Sequence, residues 1–225
     1  MSARRPEPRA GPQMSSMASG HPGWIACGGV DGYPREAISN IAASLERFLE
    51  YYIWVVALKH SIPAEAVLDA RKPMSQSSER QLGAFLLAYL IENGRAVDPL
   101  VFDSRPALEG RAKRDTPTWS AFRNRVIHQG YIPSTVEAFT YGDLVYQWIY
   151  RLIGELKSSC AEAMSRVTFQ NLRRASDVSP AGTVATMSIP TLISLVRADG
   201  PARSFKDALA GLEKYRRWLY EPRSS

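Results

Sequence analysis

From residue 34 onward, apolar positions recur at three- and four-residue steps, and that period predicts a run of helices. Ile38, Ile41, Leu45, Phe48, Tyr52, Val55 and Val56 form one broad stripe behind Pro34, a residue favoured in a helix's first turn. Ser61-Ile62-Pro63 should end that helix. A short helix is expected over residues 64–70, ahead of the breaker-rich stretch 72–77. Ser78 with Gln81 reads as a capping box, and Leu82, Phe85, Leu86, Tyr89 and Leu90 lead from it to Gly94. Residues 95–116 have no apolar period but many charges, and so long a loop in a compact domain is often functional. A helix over 117–129 follows, with Trp119, Phe122 and Val126 as its apolar face.

Ser134 and Glu137 form another capping box, opening the longest helix of the chain. Phe139, Leu144, Val145, Trp148, Ile149, Leu152, Ile153 and Leu156 line one side of it. The pattern continues through Met164 and Val167 to Leu172. Residues 175–183 read as a linker. A helix from Ser188 to Gly200 and another opened by Ser204 and Asp207 complete the order. No alternating strand pattern competes with these helices, so the expected fold class is all-α. Three parts are expected: a flexible basic tail over 1–33, a helical domain over 34–174 and a C-terminal helical hairpin over 184–220. The hairpin should be separable, with Leu192, Leu195, Leu209 and Leu212 covering the bundle's flank or a partner.

Composition narrows the class without choosing a function. The 225 residues, 45% hydrophobic and 22% charged, suit a soluble globular protein. The longest apolar run, residues 51–58, is far too short to span a bilayer. The basic N-terminus has no apolar signal core after it, so a cytoplasmic location without membrane attachment is expected. Cys27 and Cys160 are the only cysteines, and neither has metal-ligand spacing, so neither a disulfide framework nor a metal site is expected. The net charge of +6 permits a polyanionic partner.

The stretch richest in chemistry is Phe122-Arg123-Asn124-Arg125-Val126-Ile127-His128-Gln129-Gly130-Tyr131-Ile132-Pro133. It sets an Arg, an Asn and a His around a short helical end that Gly130 and Pro133 stop. A guanidinium can grip a phosphate and an imidazole can move a proton near neutral pH, which suffices for metal-free RNA cleavage. On an ideal helix Arg123 and His128 lie about 140° apart, whereas Asn124 and His128 share a face. Arg and His then converge only if the last turn unwinds near Gly130 or a second copy of the helix faces the first. Each residue also has a plainer reading. His128 suits the carbonyl end of a helix dipole. Arg123 suits a packed stem whose head pairs with a carboxylate.

With its Arg-Asn-x-x-x-His at a helix end, the Gly-Tyr-x-Pro stop and the long helix behind it, the stretch resembles the HEPN family of all-helical domains. The resemblance covers residues 34–172. It implies an up-and-down helical bundle that pairs through the motif helices as a homodimer. It also implies a metal-independent endoribonuclease needing no cofactor, of the kind that serves as a toxin or an effector against phage. An antitoxin or defence-system partner would belong to such a setting. On this chain His128 would transfer protons as the ribose 2′-hydroxyl attacks its own phosphodiester. Arg123 would hold the phosphate, with Asn124 beside it in support. Arg125, Arg114 and Lys113 are candidates for holding the RNA substrate. Some family toxins carry a Tyr two residues after the His that a partner enzyme modifies; here Gly130 stands there, so that control is not expected. Two other functions remain open: an inactive HEPN adaptor or dimerisation module, and a basic RNA-binding protein.

Overall fold

A computed structural model of the chain describes residues 33–97, 118–178 and 204–211, and all regular structure among them is helical. The tail to residue 32, the loop 98–117, the linker and first hairpin helix within 179–203, and residues 212–225 lie outside the described residues. Helix α1 is Pro34–Lys59, with Pro34 in its first turn and every residue of the expected apolar stripe buried. Helix α2 is Ala64–Met74, four residues longer than expected. Pro73 does not end it early, because it sits in the last turn, where Ser75 N–H still reaches the Arg71 carbonyl at 2.9 Å.

Helix α3, Ser78–Asn93, is capped one residue earlier than the sequence suggests. Ser77 Oγ accepts the Arg80 N–H at 3.2 Å, and Gly94 closes the helix at a left-handed φ of 67°, a conformation glycine adopts without strain. The Ser78–Gln81 box does not form. Gln81 turns inward and donates to Glu50 at 3.2 Å, while Ser78 points to the motif helix. Phe85 and Tyr89 are the buried apolar face, whereas Leu86 and Leu90, expected inside, are 42% and 48% exposed.

Helix α4 is Trp119–His128 and helix α5 is Thr135–Val178. The Ser134–Glu137 box forms as expected: Ser134 N–H donates to Glu137 at 2.9 Å, and Glu137 N–H returns to Ser134 Oγ at 3.2 Å. Residues 175–178, expected in the linker, continue α5, since no Gly or Pro interrupts the chain before Pro180. The helix kinks at Cys160, where φ is −131° and ψ is 22°. Just before the kink, the Ser158 and Ser159 hydroxyls bond back to the Glu155 carbonyl at 2.7 and 3.2 Å, a contact that bends helices.

Helix α1 is the central element. It packs along α5 and α3, with α4 and α2 against its remaining sides. The centre of the core is aromatic: Tyr52 meets Phe85 edge-on at 4.9 Å, and Phe85 meets Trp148 at 5.3 Å between ring centroids. Cutting such a ring to Ala costs about 3–5 kcal/mol. Glu50 of α1 adds a polar tie, accepting from Arg71 of α2 at 2.7 Å and from Gln81 of α3. A further helix, α6, is described over 205–211 behind Ser204, whose Oγ accepts the Asp207 N–H at 3.1 Å. Phe205 and Ala208 of α6 are buried in the same core. The described part of the expected hairpin, residues 204–211, thus packs on the bundle, one of the two places expected for it.

Candidate functional site

Helix α4 is held as a lever with one apolar edge. Trp119, Phe122 and Val126 are buried; Trp119 lies 5.6 Å and Phe122 6.1 Å from the Tyr141 ring of α5. Thr118 caps the start, its Oγ1 accepting the Ala121 N–H at 3.1 Å. At the far end Gly130 takes a φ of 72°, and Tyr131 N–H bonds back to the Arg125 carbonyl at 3.2 Å. The apolar edge fixes the rotation of α4, and so fixes which side its polar residues face.

That side is toward α1 and the start of α3. Arg123 Nη1 donates to Ser78 Oγ at 3.0 Å and to Asn124 Oδ1 at 3.1 Å. Its Nη2 donates to the Glu46 carboxylate of α1. Residues from three helices therefore meet at one guanidinium. The plainer reading of Arg123, a packed stem with its head on a carboxylate, describes this contact. The side-chain oxygen of Asn124 is engaged by Arg123.

Arg123, Asn124 and His128 nevertheless line one cleft of about 510 Å³, together with Glu46, Glu79 and Ser77. The helix does not unwind before His128; the length of the Arg side chain brings its head to the space that Asn124 and His128 face. A second copy is not needed to bring these groups to one cleft, so the geometric motive for pairing the motif helices falls away. His128 is exposed on the cleft wall, and its side chain makes no hydrogen bond among the described residues. Glu79 is held ionised below the ordinary carboxylate range, first by its own backbone N–H at the start of α3 and then by the Ser77 hydroxyl. Arg123 adds to the same effect.

The other candidates are placed differently. Arg125 lies 5.0 Å over the Tyr131 ring and is not among the residues lining the cleft. Lys113 and Arg114 lie outside the described residues. Glu46 and Glu79 were not among the expected site residues, and Ser78 was expected only as a helix cap. Glu46 and Glu50 stand four apart beside the apolar stripe of α1, and each carries an Arg from another helix.

A second polar cluster surrounds Glu92, whose side chain is 3% exposed and receives Lys59 at 2.5 Å and His60 at 3.3 Å. Cys160 Sγ lies 3.4 Å from the same carboxylate. Burial pushes this thiol above its ordinary range, only partly offset by Ser159, and Glu92 raises it further. A thiol so held keeps its proton near neutral pH and is a poor nucleophile. Among the described residues no group of His, Cys, Asp or Glu could hold a metal ion, and no helix is long and apolar enough to cross a membrane. No family model, curated protein or solved structure matches this chain.

Proposed function

We propose that the chain is a metal-independent endoribonuclease of HEPN type, acting on RNA as a toxin or an anti-phage effector. The observation that carries this reading is the convergence of Arg123, Asn124 and His128 on one open cleft. RNA brings its own nucleophile, so a protein need only move protons and balance charge on phosphorus. His128 stands exposed where an imidazole can exchange protons, and Arg123 presents a planar fork suited to a phosphoryl group.

The test is cleavage of total RNA and of a structured RNA with single-stranded loops by purified protein. Cutting should persist in EDTA and leave 2′,3′-cyclic phosphate and 5′-hydroxyl ends. His128→Ala should lower the rate on the order of 10²-fold or more. Equal cutting by both proteins, or cutting abolished by EDTA, would remove the nuclease assignment. An inactive helical adaptor would then take its place. Two observations favour that second reading: the pairing of Arg123 with Glu46, and the exposed stripe of Leu86, Leu87, Leu90 and Ile91 along α3.

A further inference from the structure

The cleft holds two carboxylates that the Arg–His scheme does not use, Glu79 of α3 and Glu46 of α1, and of the two it is Glu46 that bonds Arg123. Glu46 projects from α1 onto Arg123, and its side chain is 33% exposed, so the carboxylate is reachable from the cleft it lines. A purely structural counter-ion could sit anywhere along the guanidinium; this one sits in the same open space as His128. Transesterification of RNA needs two proton movements. The 2′-hydroxyl must lose a proton as it attacks, and the 5′-oxygen must gain one as it leaves. A single imidazole can be in only one protonation state at the start, so two groups divide the work better than one.

We infer that Glu46 is the general base of the reaction and His128 the general acid, an assignment that rests on the ribonuclease reading above. The Glu46 carboxylate takes the 2′-hydroxyl proton as the 2′-oxygen–phosphorus bond forms. His128, as imidazolium, gives its proton to the 5′-oxygen as the phosphorus–5′-oxygen bond breaks. The products are a 2′,3′-cyclic phosphate, a 5′-hydroxyl, a protonated Glu46 and a neutral His128; proton exchange with water restores both groups. Arg123 serves both partners. Ser78 and Asn124 fix its Nη1 and Glu46 meets its Nη2, leaving N–H donors of the fork over for a phosphoryl oxygen. Arg123 thus aims the base while it binds the phosphate.

The experiment uses the full chain and an RNA whose cleavage site has been mapped with the wild-type protein. That RNA is compared with the same RNA carrying a 5′-bridging sulfur at the site, a leaving group that departs as thiolate without a proton. On the ordinary RNA, Glu46→Gln and His128→Ala should each lose on the order of 10²- to 10⁴-fold. On the sulfur-bearing RNA, His128→Ala should recover to near the wild-type rate, whereas Glu46→Gln should stay slow. Glu46→Asp keeps the carboxylate but withdraws it, and should be intermediate on both RNAs, which also guards against misfolding of the Gln variant. Wild-type activity with an undiminished Glu46→Gln rate overturns the inference while leaving the nuclease reading intact. So does rescue of Glu46→Gln by sulfur, or failure to rescue His128→Ala. A wild-type protein that cuts neither RNA removes the nuclease reading itself, and the inference with it.

Discussion

Arg123 of α4 and Glu46 of α1 form an ion pair whose side chains are 18% and 33% exposed, at the point where the start of α3 joins them. The pair joins the candidate site to the fold, since the groups that would bind substrate also hold α4 against α1. Arg123→Ala should therefore have two effects. Cleavage should fall on the order of 10²-fold, the scale of a lost charge-stabilising donor. Stability should fall by about 1–3 kcal/mol, as expected for losing hydrogen bonds to a charged group. Arg123→Lys should restore part of the stability and little of the activity, because an ammonium lacks the fork. Urea melts and cleavage rates on the same preparations separate the two effects. His128→Ala, by contrast, should leave stability within about 0.5 kcal/mol, as for other exposed side chains without a partner.

The helical order was legible because long apolar stripes and caps act locally. The stripe of α1, the buried edge of α4 and the Ser134–Glu137 box all follow from spacing along one segment. What escaped depends on contacts between segments. Leu86 and Leu90 have the spacing of core residues, yet the space under α3 is filled by Phe85 and Tyr89 against Tyr52 and Trp148. Ser78 looked like a cap until Ser77 took that role and left the Ser78 hydroxyl to Arg123. The motif residues were legible as a string, whereas Glu46 was not. It lies 77 positions from its Arg partner, and no local rule links the two. The helical angle between Arg123 and His128 suggested that they would stand apart. Angles describe where a side chain starts, and an Arg head ends several bonds away.

Glu137 offers a test of how firmly the turn after the motif is set. It is buried, and its carboxylate accepts Ser134 N–H at 2.9 Å, Ser134 Oγ–H at 3.1 Å and Tyr131 Oη–H at 3.2 Å. The Tyr131 ring in turn stacks edge-on with Phe122 at 6.1 Å. Glu137→Ala removes the acceptor from all three donors and should cost about 1–3 kcal/mol. Glu137→Gln keeps an acceptor and should cost less. Thermal melts rank the two, and equal melting of Ala and Gln would show that the acceptor kept by Gln contributes nothing.

Cys160 should behave as a protected thiol. In a Cys27→Ser background it is the one remaining cysteine, buried at the kink of α5 beside Glu92. Its titration is displaced upward, with burial the largest cause. A disulfide reagent should label it slowly near neutral pH in native protein and quickly in urea. The linkage has a definite sign. An acid whose folded pKa is raised keeps its proton in the native state after the unfolded chain has lost it. Its contribution to stability therefore declines as pH rises past the ordinary thiol range, about 8.5. Cys160→Ala should reduce that decline, and an unchanged slope would assign it to other groups.

Phe205 gives the C-terminal segment its hold on the bundle, and Gly142 makes room for it. The ring packs 5.3 Å from Phe139 and 5.5 Å from Tyr146. A Cβ built on Gly142 would lie 2.8 Å from two of its ring atoms and 3.1 Å from Ile41 Cδ1. Gly142→Ala should therefore displace the ring, even though alanine is the better helix former by about 1 kcal/mol at an open site. Phe205→Ala should uncover the same face of α5 and cost up to about 3–5 kcal/mol if the bundle cannot close over it. Limited proteolysis distinguishes undocking from global loss. With either variant, cleavage should begin near residues 204–211 while a fragment containing α1 to α5 persists. If Gly142→Ala melts as wild type and its C-terminal segment stays protected, the ring has room to move and α6 is held by contacts other than Phe205.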